Sequence, residues 1–156
     1  MEGAMQRPPS YRYTECGLDD VVIEGLEVVT DDSGEQVYCI PNLPSLHRAI
    51  AQMIINRSSA LSGKELRFLR TEMGLTQPEL AAILKVSRPT INRWEQGKTE
   101  IDGNAQVVIR LMAAERLAVK ATSTIEEMTE RSVSTAGRDP IRIDGSDPSE
   151  YRPIAA

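Results

Sequence analysis

Two helix starts follow each other closely in residues 75–98, LTQPELAAILKVSRPTINRWEQGK, and nothing else in the chain restricts its fold so tightly. Thr76-Gln77-Pro78-Glu79 reads as a capping box, in which the Thr hydroxyl takes a free backbone N–H and the Glu carboxylate reaches back to the cap. Pro78 falls in the first turn, where a missing N–H does no harm. Ser87 is the next N-cap, with Pro89 just inside its helix and Gly97 just past the end. Only Lys85, Val86 and Ser87 separate the two helices, a turn of helix-turn-helix length. Leu80, Ala81 and Leu84 mark the inner face of the first helix. Val86 plugs the corner, and Ile91 and Trp94 face inward from the second. The outward face of that second helix then carries Arg88, Thr90, Asn92 and Arg93. An αα-hairpin with a purely structural role would need the caps and the apolar spacing, but not that row of hydrogen-bonding side chains.

Residues 64–98 resemble the Xre/Cro-type helix-turn-helix of bacterial and phage repressors and antitoxins. The pattern L-T-Q-x-E-L-A, the V-S turn and the W-E-x-G-K ending carry the likeness. It implies a lambda-repressor-like helical bundle whose second helix enters the major groove, where each base pair presents a distinct edge. Arg88 and Arg93 would then each make two parallel bonds to guanine, and Asn92 would pair with adenine. Thr90 would bond a base or pack on a thymine methyl, and Pro89 would add apolar contact. Gln77 and Ser87 sit at helix N-termini, which already attract phosphate, and Gln96 and Lys98 would hold the next phosphate. Trp94 reads as core rather than a stacking platform, and Glu95 as the partner of Arg70 or Arg67. The family often has Gly where this chain has Lys85, because the turn there favours a positive φ; a Lys in that conformation carries about 1 kcal/mol of strain.

The net charge of −5 argues at first against a polyanion partner. Its distribution reverses that reading. Residues 61–98 hold seven Lys/Arg against four Asp/Glu, whereas the flanks on both sides are acidic. Screening limits such fields to roughly 8–10 Å in physiological salt, so a basic module between acidic flanks can still bind DNA.

On either side, the chain reads as mainly α with a small N-terminal β-hairpin or meander. Residues 1–10 are expected to be disordered. An α+β unit follows over 11–57, with β-branched runs across 21–40, a turn at 31–34, and a helix over Leu43–Asn56 capped by Asn42. The helix-turn-helix domain spans 62–120, opened by the Ser62–Glu65 capping box. It closes with a long helix from Asp102 or Asn104, in which Val107, Val108, Leu111, Met112, Glu115 and Leu117 form an apolar stripe. Residues 121–156 are expected to be a mostly disordered tail.

Tyr13-Thr14-Glu15-Cys16-Gly17, a hairpin and Cys39-Ile40-Pro41-Asn42 together resemble the zinc-knuckle domain of MqsA-type antitoxins. That family holds one zinc with two C-x-x-C pairs. Here Tyr13 and Asn42 stand where a cysteine of each pair would be, so two thiolates half fill a tetrahedral site. Cys16, Cys39 and His47 are the remaining metal candidates; hydrophobic packing in place of metal is the preferred reading, and no cofactor is expected. The likeness raises the further reading of an antitoxin whose N-terminal unit binds a toxin.

One such domain reads about four or five base pairs, too few to select a genomic site, so a homodimer on a palindromic operator is expected. The overall expectation is a sequence-specific transcriptional regulator, as a repressor, with two alternatives: a protein-interaction adaptor, or a phage-type repressor without a toxin. Catalysis is not expected, because the one histidine has no evident partner and no segment suggests a catalytic β domain. No apolar run reaches the roughly 18 residues of a membrane span. The N-terminus lacks a signal pattern, and two cysteines make no disulfide framework. A cytoplasmic setting fits these.

Overall fold

The computed structural model describes residues 10–131 and 139–154. Disorder expected over 1–10 therefore lies outside the described residues except at Ser10, which opens the first strand. The elements in chain order are β1 (Ser10–Arg12), β2 (Val21–Glu24), β3 (Glu27–Thr30), β4 (Gln36–Cys39), α1 (Leu43–Asn56), α2 (Gly63–Glu72), α3 (Gln77–Leu84), α4 (Arg88–Glu95), α5 (Gly103–Arg116), α6 (Ile125–Arg131), β5 (Ile141–Asp144) and β6 (Arg152–Pro153). Helices dominate, with a small β region at the N-terminal end and a helix-turn-helix bundle in the middle, as the sequence reading expects.

The expected hairpin is β3–β4. Its turn is closed by Asp31, whose carboxylate accepts from the backbone N–H of Ser33 and of Glu35, both at 2.9 Å. A second, four-stranded sheet goes beyond what the sequence pattern predicts. It has the order β1-β2-β5-β6, and its two central strands run parallel with Val21 opposite Ile141 and Ile23 opposite Ile143. Both strands alternate buried and half-buried residues, so Val21, Ile23, Ile141 and Ile143 share the inner face. α1 packs against β5 and β6 and also against α2 and α5. Residues 141–153 are thus strands and turns rather than the disordered tail expected from 121 onward; 132–138 and 155–156 lie outside the described residues. β5 is only four residues long between polar turns, too short for a local signal, and pairing with β2 is what defines it.

α1 has the expected bounds, but Asn42 does not cap it. Asn42 adopts the left-handed conformation (φ 59°), which Asn tolerates better than most residues, and its side-chain amide donates to the Pro148 carbonyl at 3.0 Å. The start of α1 is thereby pinned to the segment after β5. Ser62 caps α2 with the full box: its hydroxyl accepts from Glu65 N at 3.1 Å, and Glu65 accepts from Ser62 N at 2.9 Å. The other Glu65 oxygen takes Arg57 Nη1 at 2.7 Å, and Arg57 Nη2 reaches Asp20 at 3.0 Å. One buried carboxylate therefore starts the bundle and ties it to the β unit.

The inner face of α5 differs from the expected stripe. Its buried residues are Ala105, Gln106, Ile109, Arg110, Ala113 and Ala114, whereas Val108 and Leu111 are exposed. The cause is the end of α1 and the irregular link after it. The Ile55 carbonyl in the last turn of α1 and the Arg57 and Ser59 carbonyls of the link accept from the Arg110 guanidinium at 2.6–3.0 Å, and Gln106 accepts from Leu61 N at 3.0 Å. Backbone polar groups without a ladder partner must be satisfied, and two long polar side chains turn inward to do it.

Candidate nucleic-acid interface

Each helix of the turn motif is fixed by its own sequence. Thr76 Oγ1 accepts from Glu79 N, and Glu79 accepts from Thr76 N, both at 3.2 Å. This box holds the Glu79 carboxyl below the usual carboxylate range. α3 ends at Lys85, which has φ 59° and ψ 40°, the left-handed geometry expected where the family favours Gly. Ser87 caps α4 by accepting from Thr90 N at 3.3 Å. Leu80, Ala81, Ile91 and Trp94 are all buried, with the small Ala81 on the inner side of α3. Trp94 is core, as its spacing implies.

The orientation of α4 is locked from behind. Arg70 of α2 grips Glu95 with two bonds, Nε to Oε2 at 2.6 Å and Nη2 to Oε1 at 3.0 Å, while Nη1 reaches the Leu75 carbonyl at 2.9 Å. Of the two arginines the sequence offered Glu95, Arg70 takes it. Gly63 brings α2 against the end of α4: a Cβ there would lie 2.3 Å from the Trp94 carbonyl oxygen.

Arg88, Pro89 and Arg93 are exposed on α4, and Thr90 and Asn92 are half-buried. Arg88, Asn92 and Gln96 follow one another at four-residue intervals, so they form one stripe along the helix. Arg93 lies farther round, donating to Thr90 Oγ1 at 3.2 Å, and that hydroxyl is also 2.8 Å from Ser87 Oγ. The Ser87 and Thr90 hydroxyls are therefore engaged with each other, a detail that spacing does not reveal. Gln77, at the start of α3, donates across to Asn92 Oδ1 at 3.4 Å and to Glu95 Oε1 at 3.1 Å. Gln96 and Lys98 are exposed just past the helix.

The metal candidates do not converge. Cys16 and Cys39 are free thiols, and burial pushes the Cys16 thiol up. Both His47 nitrogens are occupied: Nε2 lies 2.8 Å from Tyr13 Oη and Nδ1 lies 2.7 Å from Glu72. Asn42 is engaged with Pro148. Among the described residues no group of three His, Cys, Asp or Glu is placed to hold a metal ion. A zinc-knuckle donor set does not fit this arrangement. His47 instead bridges the β unit to α2, with its ring 5.5 Å from that of Phe68.

Two short helices at a tight turn, one locked by a buried ion pair and presenting a polar stripe outward, define a helix-turn-helix DNA-binding unit. The family model for the Xre/Cro-type helix-turn-helix matches residues 66–104, which covers the turn motif and the start of α5. The protein is a DNA-binding transcriptional regulator. No curated protein and no solved structure matches the chain. Among the described residues no helix is long and apolar enough to cross a membrane.

Proposed function

We propose that the protein is a sequence-specific repressor that binds a palindromic duplex as a homodimer, with α4 in the major groove. The observation that carries this is the outward face of α4: Arg88, Pro89, Asn92 and Arg93 lie on the side away from Ile91 and Trp94. In this reading Arg88 and Arg93 take guanine. Asn92 takes adenine, and Thr90 and Pro89 contact thymine methyls. Gln77, Ser87, Gln96 and Lys98 position the helix on phosphates. A repressor of this kind acts by occupying the site that the polymerase needs.

Two exposed apolar residues on α5 support the homodimer. Val108 is 45% exposed and Leu111 37%, on a helix whose other side is fully packed. Pairing there would place two recognition helices on successive major grooves and double the number of bases read.

The exposed β3–β4 ribbon favours one addition, a protein partner on the N-terminal unit, as in an antitoxin. Val28, Val29, Val37 and Tyr38 are exposed there beside Glu27, Asp31, Asp32 and Glu35, so a basic protein such as a toxin suits it.

The test is selection of bound duplexes from a random pool, followed by affinity measurement on the selected site. Replacing Arg88 and Arg93 together with Ala should weaken binding by roughly 2–6 kcal/mol at fixed salt, from two bidentate contacts of about 1–3 kcal/mol each. Selection of a site without two-fold symmetry would refute the palindrome. Undiminished affinity in the double variant would leave the motif as a scaffold for protein contacts.

A further inference from the structure

A polar cleft opens where α2, α3 and α4 meet, lined by Arg67, Arg70, Gln77, Asn92, Glu95 and Gln96. Its charges do not balance. Arg70 and Glu95 neutralise each other through their two bonds, which leaves Arg67 as the remaining cation. Arg67 is exposed on α2, one turn before Arg70, and makes no hydrogen bond or ion pair among the described residues. The rest of the lining is amides. Gln77 and Gln96 both point donors toward Asn92 Oδ1, at 3.4 and 3.5 Å. Gln77 is held in addition by its 3.1 Å bond to Glu95 Oε1, whereas the Gln96 bond is at the long limit, so that donor is weakly held and able to turn to a stronger acceptor.

We infer that this cleft is a phosphate clamp, in which Arg67 reaches from outside the turn motif to the duplex backbone and Gln96 completes the donor set. The clamp deepens the reading of α4 as the groove-inserted helix and rests on it. Asn92 and Gln96 belong both to the cleft and to the outward stripe that begins at Arg88, so a duplex seated on that stripe brings backbone to the mouth of the cleft. An anion fits, because Arg67 and the loosely held Gln96 amide offer N–H there and the single carboxylate, Glu95, is already paired with Arg70 and Gln77. The guanidinium adds charge and a planar fork suited to phosphate oxygens. Arg67 therefore sets register and affinity without reading sequence.

The experiment compares the wild-type chain with Arg67→Ala, Arg67→Lys and Arg88→Ala on two duplexes of roughly 20 base pairs, about two helical turns. One carries the selected sequence and the other is scrambled. Affinity is measured across a salt series. Arg67→Ala should lose about tenfold on both duplexes alike, leave their affinity ratio unchanged, and reduce the salt slope by about 0.9, the contribution of one phosphate. Arg67→Lys should keep the slope, and Arg88→Ala should lower the ratio. Unchanged Trp94 emission and thermal midpoint would show that Arg67→Ala is folded. If Arg88→Ala lowers the ratio while Arg67→Ala keeps the wild-type slope and affinity, the clamp is overturned and the recognition helix stands. If Arg88→Ala has no effect on either duplex, the seating of α4 fails and the clamp falls with it.

Discussion

The residues after α6 look dispensable, and the structure makes them essential. Ile143 is fully buried between β2 and α1, whereas Ile125, in the same polar C-terminal stretch, is 58% exposed. Replacing Ile143 with Ala removes buried methyl groups from a packed site and should cost about 2–5 kcal/mol. The same change at Ile125 should cost less than about 0.5 kcal/mol. Deleting 139–156 goes further. It removes Ile141, Ile143 and Tyr151, uncovers Val21 and Ile23, and takes the Pro148 carbonyl from Asn42. At roughly 1.5–3 kcal/mol for each large apolar side chain, the loss is comparable with the whole stability of an ordinary domain, about 5–15 kcal/mol. Urea denaturation followed by two probes tests this. Far-UV circular dichroism reports all helices, and the single Trp94 reports the helix-turn-helix core alone. Because the buried apolar residues form one continuous cluster from Val21 to Ile109 and beyond, Ile143→Ala should move both transitions together. A shift below about 1 kcal/mol, or a moving dichroism transition with a stationary Trp94 transition, would refute the reasoning.

Lys85→Gly should stabilise the chain by about 1 kcal/mol, since it removes a side chain from a left-handed backbone position on an exposed turn; an unchanged or lower denaturation midpoint would contradict that. Gly63→Ala should destabilise by at least about 2 kcal/mol, because the new methyl meets rigid carbonyls at 2.3 and 2.6 Å; wild-type stability with α4 undisturbed would speak against the close approach. Tyr13 is held neutral by burial and by acidic neighbours, its pKa pushed up to about 12 from 10. Stability from this group is full below pH 10 and is lost as pH rises through 12. Phenolate absorbance should therefore show a step near pH 12 that Tyr13→Phe lacks; four tyrosines all titrating near pH 10 would refute it.

How much of this was legible in the sequence depended on range. The three capping arrangements at Ser62, Thr76 and Ser87 are local and were readable, as was the inward placement of Ile91 and Trp94. The strained Lys85 could be seen as a departure from Gly. β5 could not: IRID alternates in the right way but is too short to stand out, and its partner strand lies far away in the chain. The faces of α5 were misread for a different reason. A charged residue at 110 reads as exterior, and only the three carbonyls at the end of α1 and in the link after it explain why it turns inward. At the interface, the outward stripe is readable from spacing, but the Ser87–Thr90 hydroxyl pair is not. Spacing alone makes Arg67 a spare partner for Glu95; its place in the cleft follows from Arg70 taking that role.

The order of the strands has a consequence for how the recognition helix is held. β2 precedes the helix-turn-helix and β5 follows it, and the two lie side by side at the centre of one sheet. The DNA-binding unit is therefore inserted into the β unit rather than appended to it. Both of its chain connections return to the same sheet. Arg57 links Asp20 to the capping Glu65, His47 links Tyr13 to Glu72, and Arg110 gathers the carbonyls between α1 and α2. A tethered reader would sample many orientations and lose affinity to the entropy of fixing one. Here the sheet and α1 already fix α2, and the Arg70–Glu95 pair passes that orientation to α4. The β unit thus serves the recognition helix as its foundation, and any partner that distorts the sheet must act on DNA affinity through these same few side chains.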